Sequence, residues 1–255
     1  MRNGAGPAVD VAALGERARP VSLAREQVLP VLDELTGLLP RGLQRGTTVA
    51  VGGCAPTSLA LALAAGASAA GSWSAVLGMP SLGLAAAAEL GVDLDRLVLV
   101  GPVPAGQWST VVATLAEAFD VVLTRPPGRA GSVRPGDARR VAARLRERGS
   151  VLVQVGWPSR TWPERTDLEI DARPRAGAPA LGWEGIGEGH GHLQARAVTL
   201  EARGRRGADR PRRADVWLPG PDGRLTAVAP TEVAPLIPVA GPVAPARPSL
   251  TLVAP

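Results

Sequence analysis

The chain has 255 residues, 45% of them hydrophobic, enough for one medium-sized domain with a buried core and appendages. All 28 basic residues are arginine, and with no lysine or tyrosine to titrate near about pH 10, a net charge of only +5 yields a pI of 11.1. One cysteine, Cys54, excludes an internal disulfide framework and a cysteine-cluster zinc site and suits a reducing cytoplasm. The most apolar stretch, Ser58 to Gly71, is short, Ala-rich and flanked by turn residues, so neither a signal peptide nor a membrane span is expected.

Charge is unevenly spread. Met1 to Thr124 carries 7 Arg against 10 acids, Arg125 to Asp215 carries 19 Arg against 11, and the remainder balances at 2 and 2. A basic second half suits phosphate or an acidic partner, and equally a solvated arginine-rich surface.

In chain order, residues 1–21 are Gly, Ala and Pro with scattered charge and are expected to be disordered. From Ser22 the spacing of Leu23, Val28, Leu29, Leu32 and Leu35 predicts a helix kinked at Pro30. Strands are then expected at Thr47–Val51, Ser74–Met79, Leu97–Val100, Asp120–Thr124 and Val151–Val155. Helices alternate with them at Thr57–Ala70, Leu82–Leu90, Trp108–Ala118 and Asp137–Arg148, and Gly91 and Gly149 stop two of them. That alternation implies an α/β fold, a mainly parallel sheet flanked by helices over residues 22–175. Past Gly156 the rhythm changes. Asp167–Asp171, His192–Glu201 and Ala214–Leu218 read as an antiparallel ribbon at the sheet edge. An Arg-rich turn joins its last two strands, and the extension ends at 219. Residues 220–255, with eight prolines, are expected to form a disordered tail.

Ligands of open parallel sheets bind beyond the carboxyl ends of the strands, which directs attention to the turn Gly52-Gly53-Cys54-Ala55-Pro56-Thr57-Ser58-Leu59. A phosphate-binding loop needs a glycine, then a lysine for the terminal phosphates, then a hydroxyl for magnesium. Here Thr57 stands for the glycine, Ser58 for the lysine and Leu59 for the hydroxyl, and no lysine elsewhere can substitute. Leu39 to Leu63, Leu90 to Leu97 and Phe119 to Leu123 resemble the ATPase core of RecA in order and spacing, over roughly Leu35 to Val155. The resemblance implies a RecA-like core in which the magnesium-holding acid is replaced by Arg125 and the water-positioning glutamate falls near Pro80. Both nucleotide motifs are thus degenerate. No catalytic residue, metal or cofactor is expected, and the enzyme class is excluded in favour of a pseudo-ATPase.

The phrase Gly182-Trp183-Glu184-Gly185-Ile186-Gly187-Glu188-Gly189-His190-Gly191-His192-Leu193, followed by the Arg-rich turn and Ala214 to Gly220, resembles the ImuA′ group of actinobacterial RecA-like proteins. That resemblance implies a damage-inducible, non-catalytic scaffold of an error-prone translesion-synthesis complex, cytoplasmic and nucleoid-associated during damage. It further implies contact through the C-terminal region with an ImuB-like inactive Y-family polymerase homologue and, through it, an error-prone C-family polymerase. DNA or a RecA filament are further candidate partners. A SulA-like cell-division inhibitor and a nucleotide-binding regulator without hydrolysis are the competing classes. Arg203, Arg205, Arg206, Arg210, Arg212 and Arg213 crowd the Arg-rich turn and are the candidate DNA or partner contacts. His190 and His192 lack a third metal-type ligand nearby and fit a Gly-rich turn. Trp157 and Trp162 bracket a Pro-containing loop and serve either as base-stacking surfaces or as anchors to the core. Ser249 to Val253 could add a strand to a partner's sheet.

Overall fold

A computed structural model describes residues 28–127, 133–156, 162–163, 166–176, 182–184, 192–205 and 210–228. Thirteen strands occur among the described residues: β1 Val28–Leu29, β2 Leu43–Gln44, β3 Thr48–Gly53, β4 Ser74–Leu77, β5 Leu97–Val100, β6 Val121–Thr124, β7 Val151–Val155, β8 Leu168–Pro174, β9 Gly182–Glu184, β10 His192–Ala195, β11 Ala197–Gly204, β12 Arg212–Trp217 and β13 Thr226–Ala227. Four α-helices accompany them: α1 Pro56–Ala69, α2 Leu84–Glu89, α3 Ala105–Ala118 and α4 Pro135–Arg148.

Nine strands share one sheet in the order β13-β12-β11-β8-β3-β7-β6-β4-β5. From β8 through β5 every pairing is parallel, and β11, β12 and β13 continue the sheet antiparallel. The fold is therefore α/β, a large and mostly parallel sheet flanked by helices with a C-terminal antiparallel region, as the alternation implied. The central strands β3, β6 and β7 are buried on both faces, which explains their continuous apolar runs.

The faces are covered differently. On one, Val49, Val51, Val153, Val155 and Ile170 pack with α1, and Leu29, Leu35, Leu38 and Leu39 join the same cluster. In α1 every residue from Leu59 to Ser68 is buried, because the sheet lies under it and the N-terminal segment crosses over it. A Cβ at Gly66 would run into the main chain of Val31, so glycine there permits the crossing. On the other face α3 and α4 pack on Ala75, Leu77, Val122 and Leu152. Helix α4 buries only the stripe Ala138, Val141 and Leu145 and ends at Gly149, whose φ of 74° suits glycine. At the amino-terminal end of the strands, Arg45 and Asp120 form a nearly buried ion pair of 2.7 Å, and the Trp73 N–H donates to the same carboxylate.

Four expectations need correction. The helix expected from Ser22 to Leu35 does not extend through Val28 and Leu29, which pair with Leu43 and Gln44. Pro30 ends the helical option there, and Asp33–Leu35 is one 3-10 turn. Asp167–Asp171 falls mostly in β8, which lies parallel to β3 and so belongs to the parallel part. His192–Glu201 is broken at Arg196, separating β10, which pairs with β9, from β11. The tail expected from Gly220 is ordered over its first residues, because Leu225 is buried and β13 pairs with β12, and residues 229–255 lie outside the described residues. Residues 1–21 and Ser249 to Val253 lie outside the described residues, as do His190 and Trp157. Among the described residues no helix is long and apolar enough to cross a membrane.

Candidate functional site: the turn after the central strand

Strand β3 carries the turn in which the phosphate-binding residues are expected. It remains paired with β8 through Gly53, opposite Ala172, and the Cys54 N–H then donates to the Ala172 carbonyl at 2.8 Å. Gly53 has φ +87°, and a Cβ there would collide with the Ala172 carbonyl oxygen. Helix α1 begins at Pro56, so only Cys54 and Ala55 connect strand to helix. A phosphate-wrapping loop relies on successive free N–H groups. In this connection the Cys54 N–H is spent on β8 and Pro56 has none.

The side chains follow suit. Leu59, at the magnesium-ligand position, is fully buried in the α1 core cluster, facing away from solvent. Gly52 is buried, and Thr57 and Ser58 are half-buried at the first turn of α1. A residue that local sequence reading misses closes the turn from outside. Arg196, in the break between β10 and β11, donates from Nη1 to the Cys54 carbonyl at 2.8 Å and from Nε to the Leu218 carbonyl at 3.0 Å. Burial pushes its pKa below the ordinary guanidinium value, yet an arginine stays charged. No local pattern announces this contact, which spans 142 positions. Burial pushes the Cys54 thiol up, and the Arg196 charge pulls it only partly back, so the thiol form dominates at neutral pH.

Arg125 follows β6 and is exposed, making no hydrogen bond or ion pair among the described residues. It lines a crevice of about 240 Å³ beyond the carboxyl ends of β4, β5 and β6. Pro80 follows β4 and is exposed.

The Arg-rich hairpin sits at the opposite end of the sheet. Gly204 pairs with Leu168, which itself pairs with Val49 near the amino end of β3. The structure divides the candidate arginines. Arg203 and Arg213 share one face, where both reach the Glu201 carboxylate, at 2.6 Å and 3.5 Å. The Arg203 hydrogen bond is the main reason that the Glu201 pKa lies below the ordinary carboxylate value. Arg212, opposite Ala202, points to the other face by strand alternation. Arg205 and Arg210 are exposed without an ion pair among the described residues, and Arg206 lies outside them. The six candidate arginines therefore do not act as one cluster: Arg203 and Arg213 share the single negative charge of Glu201, and Arg212 lies on the other face. Trp162 is buried and meets Trp108 edge-on at 6.2 Å, which makes it an anchor to the core. Among the described residues no group of His, Cys, Asp or Glu is arranged to hold a metal.

Residues 37–163 match the model of a family described as the MT3502 N-terminal domain. That stretch includes the turn after β3 and Arg125, and the Arg-rich hairpin lies beyond it. The chain is also similar to the uncharacterized protein Rv3395c of Mycobacterium tuberculosis, with 36% identity over 138 residues. The similarity covers 53% of this chain and 65% of the relative, just under two thirds of its length.

Proposed function

We propose that this chain is a non-catalytic, RecA-like accessory protein of an error-prone translesion-synthesis complex, of the ImuA′ type, and that it does not hydrolyse ATP. The observation that supports this most is the closed turn after β3, bonded to Ala172, capped by Arg196 and set against a buried Leu59. Phosphoryl transfer requires phosphates to be neutralised and positioned. This turn has no lysine, has Leu59 where the magnesium-binding hydroxyl belongs, and commits its one nearby guanidinium, Arg196, to the Cys54 and Leu218 carbonyls. The resemblance of the second half to ImuA′ proteins supplies the rest: a scaffold that contacts an ImuB-like partner and acts in the cytoplasm at damaged DNA.

Co-purification of the tagged full chain from damaged actinobacterial cells tests the reading. Recovery of an inactive Y-family polymerase homologue with a C-family polymerase is expected. Recovery of cell-division proteins in their place would move the protein to the SulA-like class.

A further inference from the structure

The crevice lined by Leu77, Pro102, Val103, Trp108, Pro126 and Arg125 does not belong to the turn after β3. Leu77 and Trp108 pack in the cluster under α3 and α4, whereas α1 and its turn pack on the opposite sheet face. The crevice lies where open parallel sheets bind ligands, beyond the carboxyl ends of adjacent strands.

Its walls are held in place. The Trp108 indole N–H donates to Thr124 Oγ1 at 3.1 Å, and Thr124 Oγ1 in turn donates to the Leu77 carbonyl at 3.2 Å. Trp162 meets the indole edge-on from another side. The indole itself is buried, at 3% exposure, and forms only the floor of the crevice, whose apolar walls are Pro102, Val103 and Pro126. Among the described residues that line it, Arg125 alone carries a charge, and no described residue pairs with that charge. The crevice measures about 240 Å³ and opens to solvent, so a ring could enter it from outside with its polar group left at the rim.

We propose that this crevice binds a small organic monocarboxylate with a flat apolar body, its carboxylate held by the Arg125 guanidinium and its body against Val103, Pro102 and Pro126 above the buried Trp108. A guanidinium fork matches a carboxylate with two parallel hydrogen bonds. A single cation suits a single negative charge rather than a polyphosphate, and the apolar walls select against a bare ion.

Titration of the full chain with 1-naphthoate, followed by calorimetry and by the indole N–H signals in NMR, tests the assignment. Saturable one-to-one binding that moves the Trp108 indole signal is expected. It should weaken at least tenfold in Arg125→Gln and be blocked in Val103→Trp, with both variants melting as cooperatively as the parent. Neutral 1-naphthalenemethanol and inorganic phosphate should each bind at least tenfold more weakly. The proposal is overturned by the absence of saturable binding, by unchanged affinity in Arg125→Gln, or by equal affinity for either control. Should Val103→Trp fail to fold, the Arg125→Gln comparison alone decides.

Discussion

Replacing Gly53 by alanine probes the clamp between the turn and β8. At φ +87° an L-residue pays about 1–2 kcal/mol for the left-handed conformation. The new Cβ would also meet the Ala172 carbonyl, and crowding of that kind costs about 1–3 kcal/mol once neighbours shift. Together these come to about 2–5 kcal/mol, and at about 2–4 °C per kcal/mol for a chain of this size, Gly53→Ala should melt about 4–20 °C lower. Gly101→Ala is the control, since a Cβ there meets nothing within 4 Å, and its melting point should stay within about 2 °C of the parent. Differential scanning calorimetry of the three proteins reads both. A Gly53→Ala melting point as close to the parent as the control's would refute the picture of a turn held shut against β8.

Arg45→Met should destabilise by about 3–5 kcal/mol in urea unfolding, because it strands the nearly buried Asp120 carboxylate; a loss under about 1 kcal/mol would contradict that. Gln154 is buried on β7 and neither amide atom has a hydrogen-bond partner among the described residues, so Gln154→Met should raise stability by about 1–2 kcal/mol, and a lower urea midpoint would show that the amide has a partner. Glu201, through its Arg203 hydrogen bond, and Asp215, through its Thr199 hydrogen bond, have folded-state pKa values below their ordinary ones. Their stabilisation is therefore present above the unfolded carboxylate pKa near about 4 and is lost as pH falls through the folded values. Urea midpoints of the parent should fall on acidification below about pH 4 more steeply than those of Glu201→Gln, and parallel acid limbs would argue against it.

Much of the parallel core was legible because its signals are local. β-Branched apolar runs placed β6 and β7, and Gly91 and Gly149 marked helix ends. The loss of phosphate-binding chemistry was likewise readable from Thr57, Ser58 and Leu59. What was not legible depends on register and distance. The helical spacing around Leu29 and Leu32 competed with a short pairing to Leu43 that only the folded chain supplies. The pairing of Arg213 with Glu201 follows from the β11–β12 register, which no local pattern states, so the arginines looked more concentrated than they are. Arg196 reaches Cys54 only because β11 is threaded back alongside β8, bringing a residue from the antiparallel region onto a turn of the parallel one.

The most direct test of the non-catalytic reading is titration of the full chain with Mg-ATP and with ADP while its melting is followed. A ligand at about 100 times its Kd stabilises by about 2.7 kcal/mol, or roughly 5–10 °C in a chain of this size. No such shift and no release of phosphate above buffer are expected. A reproducible shift of that size would contradict the non-catalytic reading, and one that persists in Arg125→Gln but disappears when Ser58→Trp fills the turn would place the nucleotide at the turn after β3.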